Sequence, residues 1–353
     1  MKFMGLNKGE WSELYAILYL LENRNLKIVD SDLNIINECI YIVDEIISER
    51  KAGEVIFLID DSFVTPIILG DECTRISIDQ ICELRRSLYH EIVNAEMGPG
   101  AFNINFVQNW LEEHQLDTKF KAKSDVKSDI ALKSIDIQTG QRVKLSYSVK
   151  SQLGSPATIL NASSHTDFCY KILNFPKDRI NEINSINSPT KLVDRIQRIM
   201  ELGGEIQFNN VKSSIFDNNL RLIDSDLPHI LGQVLLSSYI TGTKNLYMLF
   251  ESVYGDTVFA RKKLSDFLFA ISFGMFPGSP WNGYNTVDGG IIVVASDSEV
   301  YVLDLIYFKD QVEKYLFNQT KLDSPSSRRY NMLNLYEEND EVYFTLNLQI
   351  RYK

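Results

Sequence analysis

Apolar positions recur every three or four residues over much of the chain, the spacing of helices that bury one face. Trp11, Leu14, Tyr15, Leu18 and Leu21 predict a helix over residues 10–22, started at Asn7 or Gly9. Leu33, Ile36, Cys39, Ile40, Val43 and Ile47 predict a second amphipathic helix over 33–50. Further helices are expected over 77–93, 102–114 (after the breaker Gly98-Pro99-Gly100), 177–203, 227–241, 258–273 and 311–317. Buried or alternating runs predict strands over 55–59, 204–215, 290–295, 300–306 and 341–352. No internal repeat or low-complexity linker interrupts them. The fold class expected is α+β, a mixed sheet flanked by helices.

One pair of alternating runs stands out. Residues 128–132 and 145–150 flank Thr139-Gly140, which reads as a two-residue hairpin turn. That register sets Asp129 directly opposite Lys150, with Ser148 on the same face. Ile130, Leu132, Tyr147 and Val149 then point the other way, into a core. A carboxylate and an ammonium at neighbouring strand ends can bind a hard divalent cation and orient a water beside it.

Composition narrows the setting. The 353 residues suffice for one elaborated domain or two, and 44% hydrophobic with 24% charged residues is the balance of a soluble globular protein. No apolar run is long enough to span a bilayer, and no signal pattern opens the chain. Cys39, Cys73, Cys82 and Cys169 are scattered, as are the histidines. That argues against a zinc site or a disulfide framework and points to a reducing cytoplasm. A net charge of −11 argues against wholesale coating of nucleic acid. Yet Lys119, Lys121, Lys123, Lys127, Lys133, Arg142, Lys144 and Lys150 stand against only Asp125, Asp129 and Asp136 over 119–150. Such a stretch suits a phosphate-binding cleft or a solvated strand edge protected by lysine.

Phosphodiester hydrolysis needs neutralised phosphate charge, an activated water and a stabilised leaving oxygen. The hairpin offers Asp129 and Lys150 but puts Ser148 where a second carboxylate would be expected. Glu10 and Glu13, about one turn apart on the first helix, could supply it, or could simply complement the helix dipole.

The run Asn7-Lys8-Gly9-Glu10-Trp11-Ser12-Glu13-Leu14-Tyr15 resembles the start of the HpaII family of type II restriction endonucleases. Tyr147-Ser148-Val149-Lys150-Ser151 resembles it too, as do Leu153-Gly154-Ser155-Pro156-Ala157-Thr158 and Leu160-Asn161-Ala162-Ser163. So do Thr320-Lys321-Leu322-Asp323-Ser324-Pro325-Ser326-Ser327-Arg328 and Leu346-Asn347-Leu348-Gln349-Ile350-Arg351. The resemblance implies a PD-(D/E)xK core and Mg²⁺-dependent cleavage of double-stranded DNA at a short palindrome, CCGG-like by analogy. Asp129 would be the metal-binding acid and Lys150 the lysine of the motif. Ser128 replaces the usual proline, and Ser148 the second acid. The Gly9-x-x-x-Glu13 spacing is similar to that of archaeal Holliday-junction resolvases and favours Glu13 over Glu10 as the extra metal ligand. Gln152, on the same strand face, is a further candidate in the site.

Base reading calls for Arg or Lys toward guanine and Asn or Gln toward adenine. The polar stretches 155–166 and 318–331 are the candidates, with Ser155, Asn161, Ser163, Lys321, Arg328 and Arg329 in them. The Trp281 and Tyr284 loop reads as packed structure rather than cleft lining. Residues 1–175 are expected to form the nuclease core with its N-terminal helices. Residues 176–353 would form an α/β region that completes the DNA cleft. Duplex DNA is the expected partner, without a membrane. A homodimer would match a palindrome, although a monomer could cut strands in succession. A companion DNA methyltransferase is expected in the host, not as a binding partner. A structure-selective nuclease and an inactive DNA-binding protein of the same fold are the competing readings.

Overall fold

A computed structural model describes residues 5–37, 40–50, 53–95, 100–116, 127–255 and 257–353. Cys39, the pair Gly98-Pro99 and Lys119, Lys121, Lys123 and Asp125 of the basic stretch lie outside the described residues.

Asn7 begins the first helix, Lys8–Asn23. Its side chain accepts from Glu10 N at 3.0 Å, and its own N donates to Glu10 Oε2 at 2.9 Å, a capping box. Trp11, Leu14, Tyr15, Leu18 and Leu21 are all buried, as the periodicity requires. A second helix, Ile78–Asn94, is capped likewise by Ser77 and Gln80. Its Leu84 and Leu88 share a core with Trp11 and Tyr15 and with Ile130, Leu132, Tyr147 and Val149 of the sheet.

The helix expected over 33–50 is absent. The chain there forms the strands Ile35–Asn37 and Tyr41–Arg50. A bulge shifts the register between Val43 and Glu45, so the buried positions run Tyr41, Val43, Ile46, Ile47. One extra residue in a strand lengthens one two-residue step to three, here Val43 to Ile46, which imitates helical spacing. The β-branched Ile and Val content settles for the strand.

The chain forms two units, Met1–Ala157 with Asn285–Tyr315, and Thr158–Tyr284 with Leu316–Lys353. The boundary expected at residue 175 falls inside the second, between the strand Asp167–Leu173 and the short turn of helix Lys177–Arg179. The first unit holds an 11-stranded mixed sheet. At its centre run Val300–Asp304, Gly290–Val294, Arg142–Ser151, Ile130–Asp136 and Tyr41–Arg50, in that order. Gly290–Val294 lies parallel to Arg142–Ser151, so Ile291 neighbours Ser148 and Val293 neighbours Lys150. Glycine is required at the start of this strand. A Cβ on Gly289 would stand 2.5 Å from the Tyr147 ring, and Gly290 has φ +131 with Leu303 O where a Cβ would go.

The second unit holds a three-stranded and a four-stranded sheet. The expected last strand over 341–352 divides between them. Glu341–Asn347 pairs with Asp167–Leu173, while Ile350–Tyr352 pairs with Thr158–Leu160 and Thr320–Leu322. The helical stretch 177–203 also breaks. Pro189 precedes the helix Lys191–Glu201, and buried Arg195 closes the gap by donating to the carbonyls of Asn184, Ile186 and Leu333. Leu227–Thr241 and Val258–Phe273 are helices with the expected bounds. Ten α-helices accompany the sheets among the described residues, so the fold is mixed α+β. Among those residues no helix is long and apolar enough to cross a membrane.

Candidate active site

The hairpin forms, but with a longer turn than expected. Pairs Ile130 with Tyr147, Leu132 with Leu145 and Ile135 with Arg142 place Ser148, not Lys150, opposite Asp129. The cause is Asp136, whose Oδ1 accepts from Gln138 N at 2.9 Å and Thr139 N at 3.3 Å. It closes a loop over residues 137–140 that ends on Gly140 at φ +71. The pairing moves by two residues, which preserves faces. Asp129, Ser148 and Lys150 therefore still share one face, and Ile130, Leu132, Tyr147 and Val149 are buried on the other.

The three side chains form a hydrogen-bonded series. Lys150 Nζ donates to Ser148 Oγ at 2.6 Å and to Val149 O at 3.2 Å. Ser148 Oγ donates to Asp129 Oδ2 at 3.3 Å, and Val149 N donates to the same oxygen at 2.6 Å. Ser148 is buried, whereas Asp129 and Lys150 are half-buried. The hydroxyl that stands where an acid was expected thus couples the ammonium to the carboxylate without adding charge.

Lys127 joins this group electrostatically. Burial pushes its pKa down to about 8, the Lys150 charge adds to the shift, and the Asp129 charge opposes it. The sequence reading placed Lys127 in the basic stretch but not in the site. The available signal was its position two residues before Asp129, on the same alternation.

The N-terminal helix meets the strand just beyond Lys150. Ser12 Oγ donates to Lys8 O at 2.7 Å and shares a hydrogen bond with Ser151 Oγ at 2.8 Å. Glu13 follows on that helix, half-buried. Glu10 is engaged in the cap. Among the described residues no three His, Cys, Asp or Glu side chains converge as a metal cluster. Gln152 is exposed past the strand end, its N donating to Val294 O at 2.9 Å. Ser155 is exposed in the loop that follows.

Within the second unit, residues 158–166 of one polar stretch proposed for base reading meet the other, 318–331. Tyr330 Oη donates to Ala162 O at 2.8 Å. Asn161 is exposed beside it in sequence, whereas Ser163 caps a short helical turn by accepting from His165 N at 3.2 Å. Asn347, fully buried and missed by the sequence reading, donates to Ser163 O and Asp167 Oδ1, both at 2.6 Å. Lys321 lies on a strand opposite Arg351. Arg328 and Arg329 are exposed, and the Arg329 guanidinium sits 5.4 Å from the Tyr330 ring centre. The Trp281 and Tyr284 loop is pinned by buried Asn219, which accepts from Trp281 N and donates to the carbonyls of Phe276 and Ser279. Tyr284 itself is 76% exposed.

The family model for the HpaII restriction endonuclease matches residues 7–352. Type II restriction enzyme HpaII of Haemophilus parainfluenzae is 34% identical over 361 aligned positions, covering 99% of each chain. No solved structure matches. With the match running from the capped first helix to the last strand, the chain belongs to the HpaII restriction endonuclease family and is a type II site-specific deoxyribonuclease.

Proposed function

We propose that the enzyme hydrolyses phosphodiester bonds in double-stranded DNA at a short palindrome, CCGG-like, with Mg²⁺ as cofactor and a PD-(D/E)xK type of site. The observation that carries this reading is the Lys150–Ser148–Asp129 series at the end of a central hairpin.

The donor set suits a hard cation. Both hydrogen bonds to Asp129 fall on Oδ2, and Oδ1 has no hydrogen-bond partner among the described residues. Magnesium commonly takes one or two carboxylates and completes its shell with water and substrate phosphate. Asp129 would hold it, with Glu13 as the second carboxylate. When bound, the ion supplies charge neutralisation at the phosphate and acidifies a bound water.

The chain's own residues do the rest. Lys150 Nζ, steered by Ser148 Oγ and Val149 O, holds the attacking water and faces the phosphate. Lys127 adds positive charge beside it, which draws the DNA backbone. Gln152, at the end of the same strand face, orients the phosphate or the water. Ser155, Asn161, Ser163, Lys321, Arg328 and Arg329 contact the duplex, the arginines being the best guanine readers. In this reading the nuclease core is the unit that holds the Ile130–Asp136, Arg142–Ser151 and Gly290–Val294 strands, and recognition lies mainly in the second unit. The enzyme acts in the cytoplasm, and a symmetric dimer would match a palindrome, with a monomer cutting the strands in succession as the alternative.

Digestion of sequenced, unmethylated plasmid with Mg²⁺, followed by run-off mapping of the ends, tests the proposal. Cutting at one sequence is expected. Asp129→Ala and Lys150→Ala should bind duplex but not cut it. Cleavage rates unchanged by both substitutions would refute the assignment of this site.

A further inference from the structure

Between the helix Val258–Phe273 and the strand Gly290–Val294, residues 274–289 form neither helix nor strand. Loops of that length are uncommon in compact units and usually serve a function.

The part of this loop in the second unit is held firmly. Met275 is fully buried. Asn219, 2% exposed on the helix Ser214–Ile223, accepts from Trp281 N at 2.9 Å and donates to Phe276 O at 3.2 Å and Ser279 O at 2.9 Å. Trp281 Nε1 donates to Tyr284 O at 2.8 Å, and Asn282 Oδ1 accepts from Tyr284 N at 3.1 Å. Both backbone polar groups of Tyr284 are therefore fixed. Its side chain stands 76% exposed, and among the described residues no hydrogen bond or ring contact engages it.

The same helix also holds the polar stretch 158–166. At its start Ser213 Oγ accepts from Phe216 N and lies 3.4 Å from His165 Nδ1. The His165 ring packs against Gly278, where a Cβ would stand 3.1 Å from its Cδ2 and Nε2. One scaffold within the second unit thus carries the aromatic loop and the segment Asn161–Thr166 side by side. The chain leaves this unit after Tyr284, and four residues later Asp288 Oδ1 accepts from Ser146 N at 2.6 Å, on the strand that carries Ser148 and Lys150.

A large ring aimed at solvent from a fixed loop contributes nothing to the fold. On DNA it finds a partner, because every base offers a π-face for stacking. A ring already fixed at its backbone also loses little freedom on binding. We propose that Tyr284 is a DNA-contacting specificity residue whose ring inserts at a base step of the bound duplex, next to the bases that residues 158–166 face. Insertion unstacks that step, so sequences that unstack easily there are favoured. The proposal rests on the reading that residues 158–166 face DNA.

The test uses the full-length enzyme in Ca²⁺ and a duplex carrying the cleaved sequence, so binding is read without turnover at Asp129 and Lys150. Anisotropy gives the affinity. Permanganate oxidation of thymines, placed in turn at each step in and beside the site, reports unstacking. Tyr284→Ala, Tyr284→Phe and Asn161→Ala are compared with the wild type once their melting curves are shown to match. Wild type and Tyr284→Phe should expose the same step, whereas Tyr284→Ala should lose that reactivity and bind about 5- to 100-fold more weakly. A Tyr284→Phe enzyme as weak as Tyr284→Ala would show a hydroxyl contact and refute insertion. A Tyr284→Ala enzyme that binds and marks DNA like the wild type overturns the proposal. In that case weaker binding by Asn161→Ala leaves the reading of 158–166 standing, and unchanged binding ends both. A Tyr284→Ala enzyme that sediments as a smaller particle, with its permanganate pattern unchanged, would assign the ring to a second copy of the chain and overturn the proposal as well.

Discussion

Ser148 stands directly opposite Asp129 and hands its hydroxyl to it at 3.3 Å, while accepting from Lys150 at 2.6 Å. Holding the lysine this way fixes where its ammonium points. Among the described residues, Ser148→Ala leaves Lys150 only the Val149 carbonyl as a hydrogen-bond acceptor. Misplacing a group by about an ångström can cost on the order of 100-fold in rate. Single-turnover cleavage by Ser148→Ala is therefore expected to fall about 10- to 100-fold, with duplex binding in Ca²⁺ unchanged. An unaltered rate would mean that Lys150 needs no bridge.

Asp304 sets a pH dependence of stability. It is fully buried at the end of its strand, accepting from Tyr41 Oη at 3.3 Å and from Tyr307 N at 2.6 Å. Burial raises its pKa above 3.8, and these hydrogen bonds only partly offset that. The folded state then binds the proton more tightly than the unfolded state. Stability from this group is complete below the unfolded value and declines as pH rises through the folded one. Asp304→Asn removes the titration and keeps the side-chain carbonyl as an acceptor. The melting temperature of Asp304→Asn minus that of the wild type should increase as pH rises from about 4. A difference that is flat with pH would contradict the shift.

How much of this was legible in the sequence depended on which physical signal ruled each segment. Leu227–Thr241 and Val258–Phe273 lie where expected, marked by long apolar runs of helix length rather than by a single face, since Phe267 to Phe273 is buried all round. Tyr41–Arg50 was misread because the bulge near Asp44 alters the period, a property of pairing with Ile130–Asp136 that the strand's own residues do not display. The hairpin's faces were legible, but its register was not, because the Asp136 side chain closes the turn. That slip of two residues moved the partner of Asp129 from Lys150 to Ser148 while leaving all three on one face. Asn347 was missed because its role rests on neighbours brought in by tertiary structure, whereas Lys127 stood two residues before Asp129 and was left in the basic stretch.

Gly290 is the tightest point in the strand beside Lys150. A Cβ there would fall 2.0 Å from Leu303 O, and φ is +131. Neither relaxes without separating Gly290–Val294 from Val300–Asp304, its antiparallel neighbour. Gly290→Ala is expected to destabilise the enzyme by about 3 kcal/mol or more. Urea unfolding measures this directly. A loss under about 1 kcal/mol would show that the strand can shift.

Tyr330 ties the two polar stretches together, and that makes the arginines beside it separable by experiment. Tyr330→Phe removes one hydrogen bond to Ala162 O, worth about 1 kcal/mol, so overall stability should barely change. Its ring would still support the Arg329 guanidinium. If the link positions the recognition loop, discrimination between the cognate duplex and single-base variants should fall while cognate cleavage stays near normal. Arg328→Ala and Arg329→Ala then sort by role. An arginine on guanine should cost about 1–3 kcal/mol and relax one position of the site. An arginine on phosphate should weaken all sequences alike and reduce the salt slope by about one. Arg329, already held against Tyr330, is the better placed of the two for reading a base, because less side-chain freedom is lost on binding. Cleavage of a full set of single-base-substituted duplexes at several salt concentrations decides it, and equal, sequence-independent losses for both variants would assign both arginines to the backbone.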